Sequence, residues 1–345
     1  MCYGIIRGFC FLILLLNSLP GCEKDRQLQR VQFNGNAQGT TYQVIYLSEE
    51  GASFQQEMEE ALAAIDRSLS LYLPGSLINQ FNGSDRGIKM DRYFREVVRK
   101  GQEVSELSDG AFDLTVKPLV DAWGFGEKRH TQVPDSSYVE ELLQAVDYRL
   151  IGIKGDSLVK KHPGVRIDAN GIAQGYTLDV LAGLLEEKNI TDYLIELGGE
   201  IRVKGRNEAG RAWRIGIEAP PQAKDESDGE NAPALLSRLI SVSGKGLSTS
   251  GNYRKFFESG GKHYAHTIDP RTGYPVQNQL ISVTVVAPDC ITADAWDNAF
   301  MVLGIPASFE KLEGLPGVEA FFIYYDAQGR VRDTSTAGFQ DFYLN

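Results

Sequence analysis

Cysteine is scarce in this chain, and its placement makes it scarcer still. Of four cysteines in 345 residues, Cys2, Cys10 and Cys22 fall in or at the end of the N-terminal leader, leaving Cys290 alone in the body. One thiol builds neither a disulfide framework nor a thiolate metal cage, which excludes zinc and iron–sulfur chemistry. Cys290 follows an apolar strand-like run and is expected to be buried rather than reactive. Positive charge is also in deficit: 35 Lys and Arg stand against 46 Asp and Glu, for a formal charge of −11. A general nucleic-acid binder needs a basic footprint for the phosphates, so nucleic acid is excluded as a partner. An anionic ligand must then be held by backbone N–H groups, a few cations or a metal. The apolar run Phe9–Leu16 falls short of the roughly 20 residues that span a bilayer. Neither a P-loop nor a dinucleotide-binding G-x-G-x-x-G after a strand is present.

What remains is a globular composition, 42% hydrophobic and 23% charged, in a chain long enough to bury a substantial core. Arg7, the run Phe9–Leu16 and the small residues before Cys22 read as a secretory leader over residues 1–21. Leu19-Pro20-Gly21-Cys22 looks like a bacterial lipobox, with Cys22 the lipidated first residue of the mature chain and Pro20 an unusual occupant. Residues 22–35 then read as lipidated cysteine and polar tether, and 36–345 as one domain. The expected location is that of an exported lipoprotein, membrane-anchored and facing the periplasm or cell exterior. The acidic segment 219–235 reads as a surface loop.

Periodicity alternates between helix and strand. Thr41–Leu47, Tyr193–Leu197, Trp213–Glu218, Leu280–Ala287 and Val318–Tyr325 read as strands. Helices are expected after a Ser53/Gln56 capping box, from about Tyr93 to Leu107, from near Ile172, and over Thr292–Leu303. Mixed order of this kind implies an α+β or α/β single module.

Several segments carry candidate chemistry. Ser241–Gly251 is glycine-rich and offers bare backbone donors to a pyrophosphate, or is an ordinary tight loop. In Thr292-Ala-Asp-Ala-Trp-Asp-Asn298 a helix places Asp294 and Asn298 at i and i+4. Two such oxygen ligands suit Mg²⁺, although Asp294 in a first helical turn also simply favours the helix dipole. His263 and His266 share one segment with the turn Asp269-Pro-Arg-Thr-Gly273, where Arg271 either faces a phosphate or closes a surface hairpin. Asp168–Gly175 brings glycines into a helix after a short strand. Phe112, Trp123 and Phe125 either stack on a flat ligand or belong to the core.

Taken in order, these segments resemble the FAD:protein FMN transferase (ApbE) family of exported bacterial flavin enzymes. The matching stretches are Gln38-Gly-Thr-Thr-Tyr42, Tyr72–Asn79, Gly110-Ala-Phe-Asp113, Trp123-Gly-Phe-Gly126, Asp168–Tyr176, Glu196–Ile201, Leu247–Gly251, His266–Gly273 and Thr292–Ala295. The resemblance implies a single α+β flavin-transferase module, ApbE-like and T-fold-like, with mixed sheets and packed helices. It also implies FAD as substrate, Mg²⁺ as cofactor, and transfer of FMN to a threonine or serine hydroxyl of a partner protein with release of AMP. By the same resemblance Asp294, the Gly171 carbonyl and Asn298 are metal ligands. Gln38, Tyr72, Ala111, Phe112, Asp113, Asp168, Gln174 and Ile268 fall on FAD-contacting positions, with Tyr72 placed to stack on the flavin. His266 is the candidate general base or orienting group. The implied acceptors are exported subunits of redox-driven ion pumps or related reductases. Three positions depart from the pattern: Asn298 stands where threonine is common, Gln174 where lysine is common, and Gln38 where methionine is frequent. An FAD pyrophosphatase and a non-catalytic, membrane-tethered FAD-binding protein remain alternatives.

Overall fold

The computed structural model describes residues 28–219, 236–252, 256–259 and 261–344. Cys22, the leader and nearly all of the acidic 219–235 segment lie outside these residues. An eight-stranded sheet organises the molecule, and its spatial order is its chain order. It runs Gln29–Ala37, Thr40–Ser48, Tyr193–Leu197, Glu200–Lys204, Lys245–Gly251, Leu280–Ala287, Glu319–Tyr325 and Val331–Ser335, each antiparallel to its neighbours. Seven α-helices are assigned among the described residues: α1 Gln55–Leu69, α2 Leu77–Gly83, α3 Arg92–Leu107, α4 Lys117–Ala122, α5 Ser136–Leu143, α6 Ala173–Glu187 and α7 Cys290–Leu312. The α+β class expected from the alternation is what the chain adopts.

Burial follows the residue patterns. Leu280–Ala287 has no polar alternation, and all eight of its residues are buried, as expected of a strand covered on both faces. One face takes α1, α3, α6 and α7, through clusters that include Phe94, Phe300 and Phe322 on one side and Tyr46, Leu181 and Tyr193 on the other. The opposite face is covered by the hairpin Trp213–Glu218/Leu236–Val242, whose Trp213, Ile215 and Ile217 point inward at period two. A smaller cluster built on Leu119, Trp123, Val139 and Phe257 supports the segment that carries His266 and Ile268.

Three local readings need correction. Gln29–Gly35, assigned to the tether, belongs to the edge strand Gln29–Ala37, which turns Phe33 into the core. The Ser53/Gln56 box does not form: α1 starts after Phe54, which has no side-chain cap. Phe54 instead stacks on Tyr46 at 5.9 Å between ring centroids, and its N–H donates to the Tyr46 hydroxyl at 3.0 Å. The tyrosine thus sets where the helix begins. Finally, most of Ser241–Gly251 is strand rather than phosphate loop. Its small residues let α7 pack closely on the sheet, because a Cβ on Gly246 would collide with the Asp289–Cys290 backbone.

That approach yields a prediction. Gly246→Ala must push the first turn of α7 off the sheet, a strain of about 1–3 kcal/mol for an overpacked site. Urea denaturation is expected to show a lowered midpoint with an unchanged slope.

Candidate active site

Two turns and two helix ends meet at one end of the sheet's strands. Gln38 and Gly39 (φ 51° and 76°) link the first two strands, and Gly198 and Gly199 (φ 68° and 113°) link the third and fourth. Both are two-residue hairpin turns with positive φ. The Gly198 N–H donates to the Thr41 carbonyl at 3.1 Å, so the turns lie side by side. The N-terminal part of α6 reaches both. Thr177 accepts a 2.7 Å hydrogen bond from Gln38 Nε2, and Gln174 Nε2 lies 3.0 Å from where a Gly198 Cβ would sit.

α7 meets α6 at this place. Asp289 caps α7 by accepting from the Thr292 N–H at 3.0 Å. The Asp179 carboxylate takes the next free donors, from Cys290 and Ile291, at 2.9 and 2.8 Å. The α6–α7 contact is tight because residue 175 is glycine: its Cβ would fall 2.7 Å from the Asp294 Cβ and collide with the Cys290 carbonyl. Its N–H donates to Asp294 Oδ2 at 2.8 Å. Asp294 is 3% exposed. Burial holds its carboxyl well above the usual range, the nearby Glu200 charge adds to this, and the Gly175 N–H opposes it. Asn298 follows one turn later, its Nδ2 within 2.9 Å of the Asp294 backbone carbonyl and 3.4 Å of the Gly171 carbonyl.

The other expected contacts form a second group. Asp113 is buried and accepts from the Thr115 N–H, the Thr115 hydroxyl and the Tyr148 N–H, each at 2.7 Å. Desolvation outweighs these donors and pushes its carboxyl up to about 6. Asp168 is joined to the 111–115 segment through its N–H, which donates to the Leu114 carbonyl at 2.8 Å. Its own carboxylate takes the Asn170 N–H, and burial raises it to about 6. Tyr72 is 70% exposed, on a connection that the Asn79 side chain fixes by donating to the Leu71 and Leu73 carbonyls at 2.9 and 3.0 Å. His266 is half-buried, edge-on to Phe125 at 6.4 Å.

A pattern for the ApbE family matches residues 38–322. This chain belongs to the ApbE family. It is 34% identical over 322 residues to the FAD:protein FMN transferase of Haemophilus influenzae, covering 90% of each. It is also 34% identical over 306 residues to the Vibrio cholerae protein of the same name, covering 87% of this chain and 88% of that one. Among solved structures, the apo Pseudomonas stutzeri flavinyl transferase ApbE aligns with a TM-score of 0.81 at 34% identity, over 92% of this chain and 98% of that one. The flavin transferase ApbE from Vibrio cholerae aligns with a TM-score of 0.80 at 30% identity, over 91% and 99% respectively.

Within this ApbE fold the aromatic candidates take the core alternative. The Phe112 and Trp123 rings are core, at 7% and 1% exposure, and the Trp123 indole N–H is committed to the Gly273 carbonyl at 2.8 Å. Phe125 packs on Phe257. Ala111 and Ile268 are buried as well. Arg271 takes the hairpin alternative, turning back onto Asp269 through two hydrogen bonds of 2.9 and 2.8 Å in the turn between Ile268–Asp269 and Tyr274–Pro275. The side chain of His263 lies outside what the structure describes. Cys290 is buried, as expected, and donates to the Ile201 carbonyl at 3.2 Å.

Sequence reasoning missed Asp297, Glu200 and Asn82. Asp297 is 1% exposed, and burial and the Asp294 charge both raise its carboxyl. Asn82 clamps Ile167, accepting from its N–H at 2.7 Å and donating to its carbonyl at 2.9 Å, and so fixes the approach to Asp168. Helical spacing on the Asp294 face carried a signal for Asp297. None existed for Asn82, which lies 85 residues from its partner.

Asp168 gives a pH prediction. Its carboxyl rises from 3.8 to about 6 on folding, so between those values the native state binds a proton that the unfolded chain has lost. That stability is complete below the unfolded value and is lost as pH rises through the native one. Asp168→Asn does not titrate, so its stability is expected to fall less than wild type between about pH 4 and about pH 7. Urea midpoints at the two ends of that range provide the test.

Proposed function

We propose that this chain is an FAD:protein FMN transferase that moves FMN from FAD to a threonine or serine hydroxyl of an exported acceptor protein, in a Mg²⁺-dependent reaction that releases AMP. The observation that carries the reading is the α6–α7 junction. There the Asn298 amide lies against the Gly171 carbonyl one helical turn after Asp294, whose desolvated carboxylate takes the Gly175 N–H, within a chain that matches the family over 38–322.

The residues suit a hard divalent cation. Asp294 is a buried carboxyl that feels the like charges of Glu200 and Asp179, so a cation would supply the counter-charge that the described residues around it do not. Among the described residues no three His, Cys, Asp or Glu side chains gather as a metal cage. A set of one carboxylate and neutral oxygens, leaving room for water and phosphate oxygens, is a typical Mg²⁺ arrangement. Bound there, Mg²⁺ would neutralise charge on the pyrophosphate and on the departing AMP oxygen.

The chain's own residues do the rest. Tyr72, exposed on its clamped loop, offers a flat face to the flavin, while Asp113 and Asp168, buried on two loops tied to each other, are the carboxyls that would meet the rest of FAD. The acceptor hydroxyl oxygen forms a bond to the FMN phosphorus as the bond from that phosphorus to the AMP oxygen breaks. His266 takes the hydroxyl proton or holds the hydroxyl in line. Gln38 and Gln174 supply neutral hydrogen-bonding groups beside the two turns. The exported, lipid-anchored location through Cys22 and the acceptors, subunits of redox-driven ion pumps or related reductases, belong to the same proposal.

The test incubates the chain without its leader with FAD, Mg²⁺ and an acceptor domain, and reads the acceptor's intact mass and the released nucleotides. One FMN gained, and lost on chelation, is the expected result. Free FMN and AMP with an unmodified acceptor would mark a pyrophosphatase; bound FAD with no product would mark a binding protein. Asp294→Ala is expected to abolish transfer with the fold intact. His266→Ala is expected to slow transfer about 100-fold or more while FAD affinity changes little; equal loss of both would make it a binding residue.

A further inference from the structure

Asparagine in place of threonine at position 298 poses an orientation problem. A hydroxyl presents one oxygen to a cation. An amide has two ends of opposite character, an acceptor oxygen and a donor-only nitrogen, and the wrong end repels a cation. Something must choose between them.

We infer that Asp297 is a positioning residue that makes this choice: its carboxylate takes the Asn298 amide nitrogen and leaves the Asn298 oxygen to face a bound divalent cation. The inference rests on the metal reading of the proposed function. Asn298 Nδ2 donates to Asp297 Oδ1 at 2.9 Å and to the Asp294 carbonyl at 2.9 Å. Those two acceptors use both of its protons. The contact to the Gly171 carbonyl, at 3.4 Å, is the longest of the three and the one a cation can replace. Among the described residues Asn298 Oδ1 accepts no hydrogen bond, so it remains available as a ligand. Asp297 does not complete a carboxylate cage, since no such trio forms among the described residues. It acts through Asn298, as an outer-shell partner fixes a metal-binding histidine.

The test measures Mg²⁺ and Mn²⁺ affinity by titration calorimetry on the full chain in detergent, for wild type, D297S, N298T and D297S/N298T. D297S alone is expected to weaken binding about 10- to 100-fold. In the threonine background, where no amide needs orienting, the same change is expected to do little. D297N keeps an acceptor oxygen in place and is expected to restore most of the affinity, which also covers a D297S protein that fails to fold. An equal fall in both backgrounds, or a D297N defect as large as that of D297S, would make Asp297 a charge or a ligand in its own right and overturn the inference. So would an unchanged D297S. If neither wild type nor N298T binds either ion, the metal reading fails and takes this inference with it; the other outcomes leave that reading intact.

Discussion

Everything at the α6–α7 junction depends on one close approach. The helices touch where Gly175 faces the Cys290 carbonyl and the Asp294 side chain, a contact that a single methyl group would prevent. Because the backbones come that near, the Gly175 N–H reaches Asp294, and Asp179 on α6 can take the open donors at the start of α7. A carboxylate aimed this way is costly unless something of opposite charge joins it. The molecule thus places close packing and unbalanced charge at one point, the pattern expected of a working site rather than of a structural ion pair.

The surrounding architecture keeps that point in place. The antiparallel order brings the 38–39 and 198–199 turns to the same end of neighbouring strands, and small residues in the Lys245–Gly251 strand let α7 lie close against the sheet. The loops that carry Asp113 and Asp168 are tied to each other and to Asn82 rather than left to solvent. Aromatic residues support from behind: Trp123, Phe125 and Phe257 form the packing on which the His266 segment rests.

How much of this was legible in the sequence depended on the range of the signal. Strands with strong local patterns, Tyr193–Leu197 and Leu280–Ala287, have the expected ends, since alternation or its absence reports burial directly. The i, i+4 placement of Asp294 and Asn298 followed from helical spacing alone. Signals fulfilled by distant partners were unreadable or misleading. Ser53 and Gln56 had the form of a capping box, but Tyr46 fixes the helix start. The small residues of Ser241–Gly251 had the form of a phosphate loop, but they make room for α7. Arg271 could be aimed at a phosphate on paper; Asp269, two residues away, holds it first. Asp297 shared a face with Asp294, yet its use depends on a neighbouring amide whose orientation no spacing rule specifies.

The proposed function turns on a divalent cation bound where the start of α6 meets α7. Crystals soaked in manganese chloride and measured at an energy where manganese scatters anomalously test it directly. The account predicts a peak in direct coordination distance of the Asp294 carboxylate, the Gly171 carbonyl and the Asn298 side-chain oxygen. A peak elsewhere, or none at a concentration that saturates binding in solution, would contradict it.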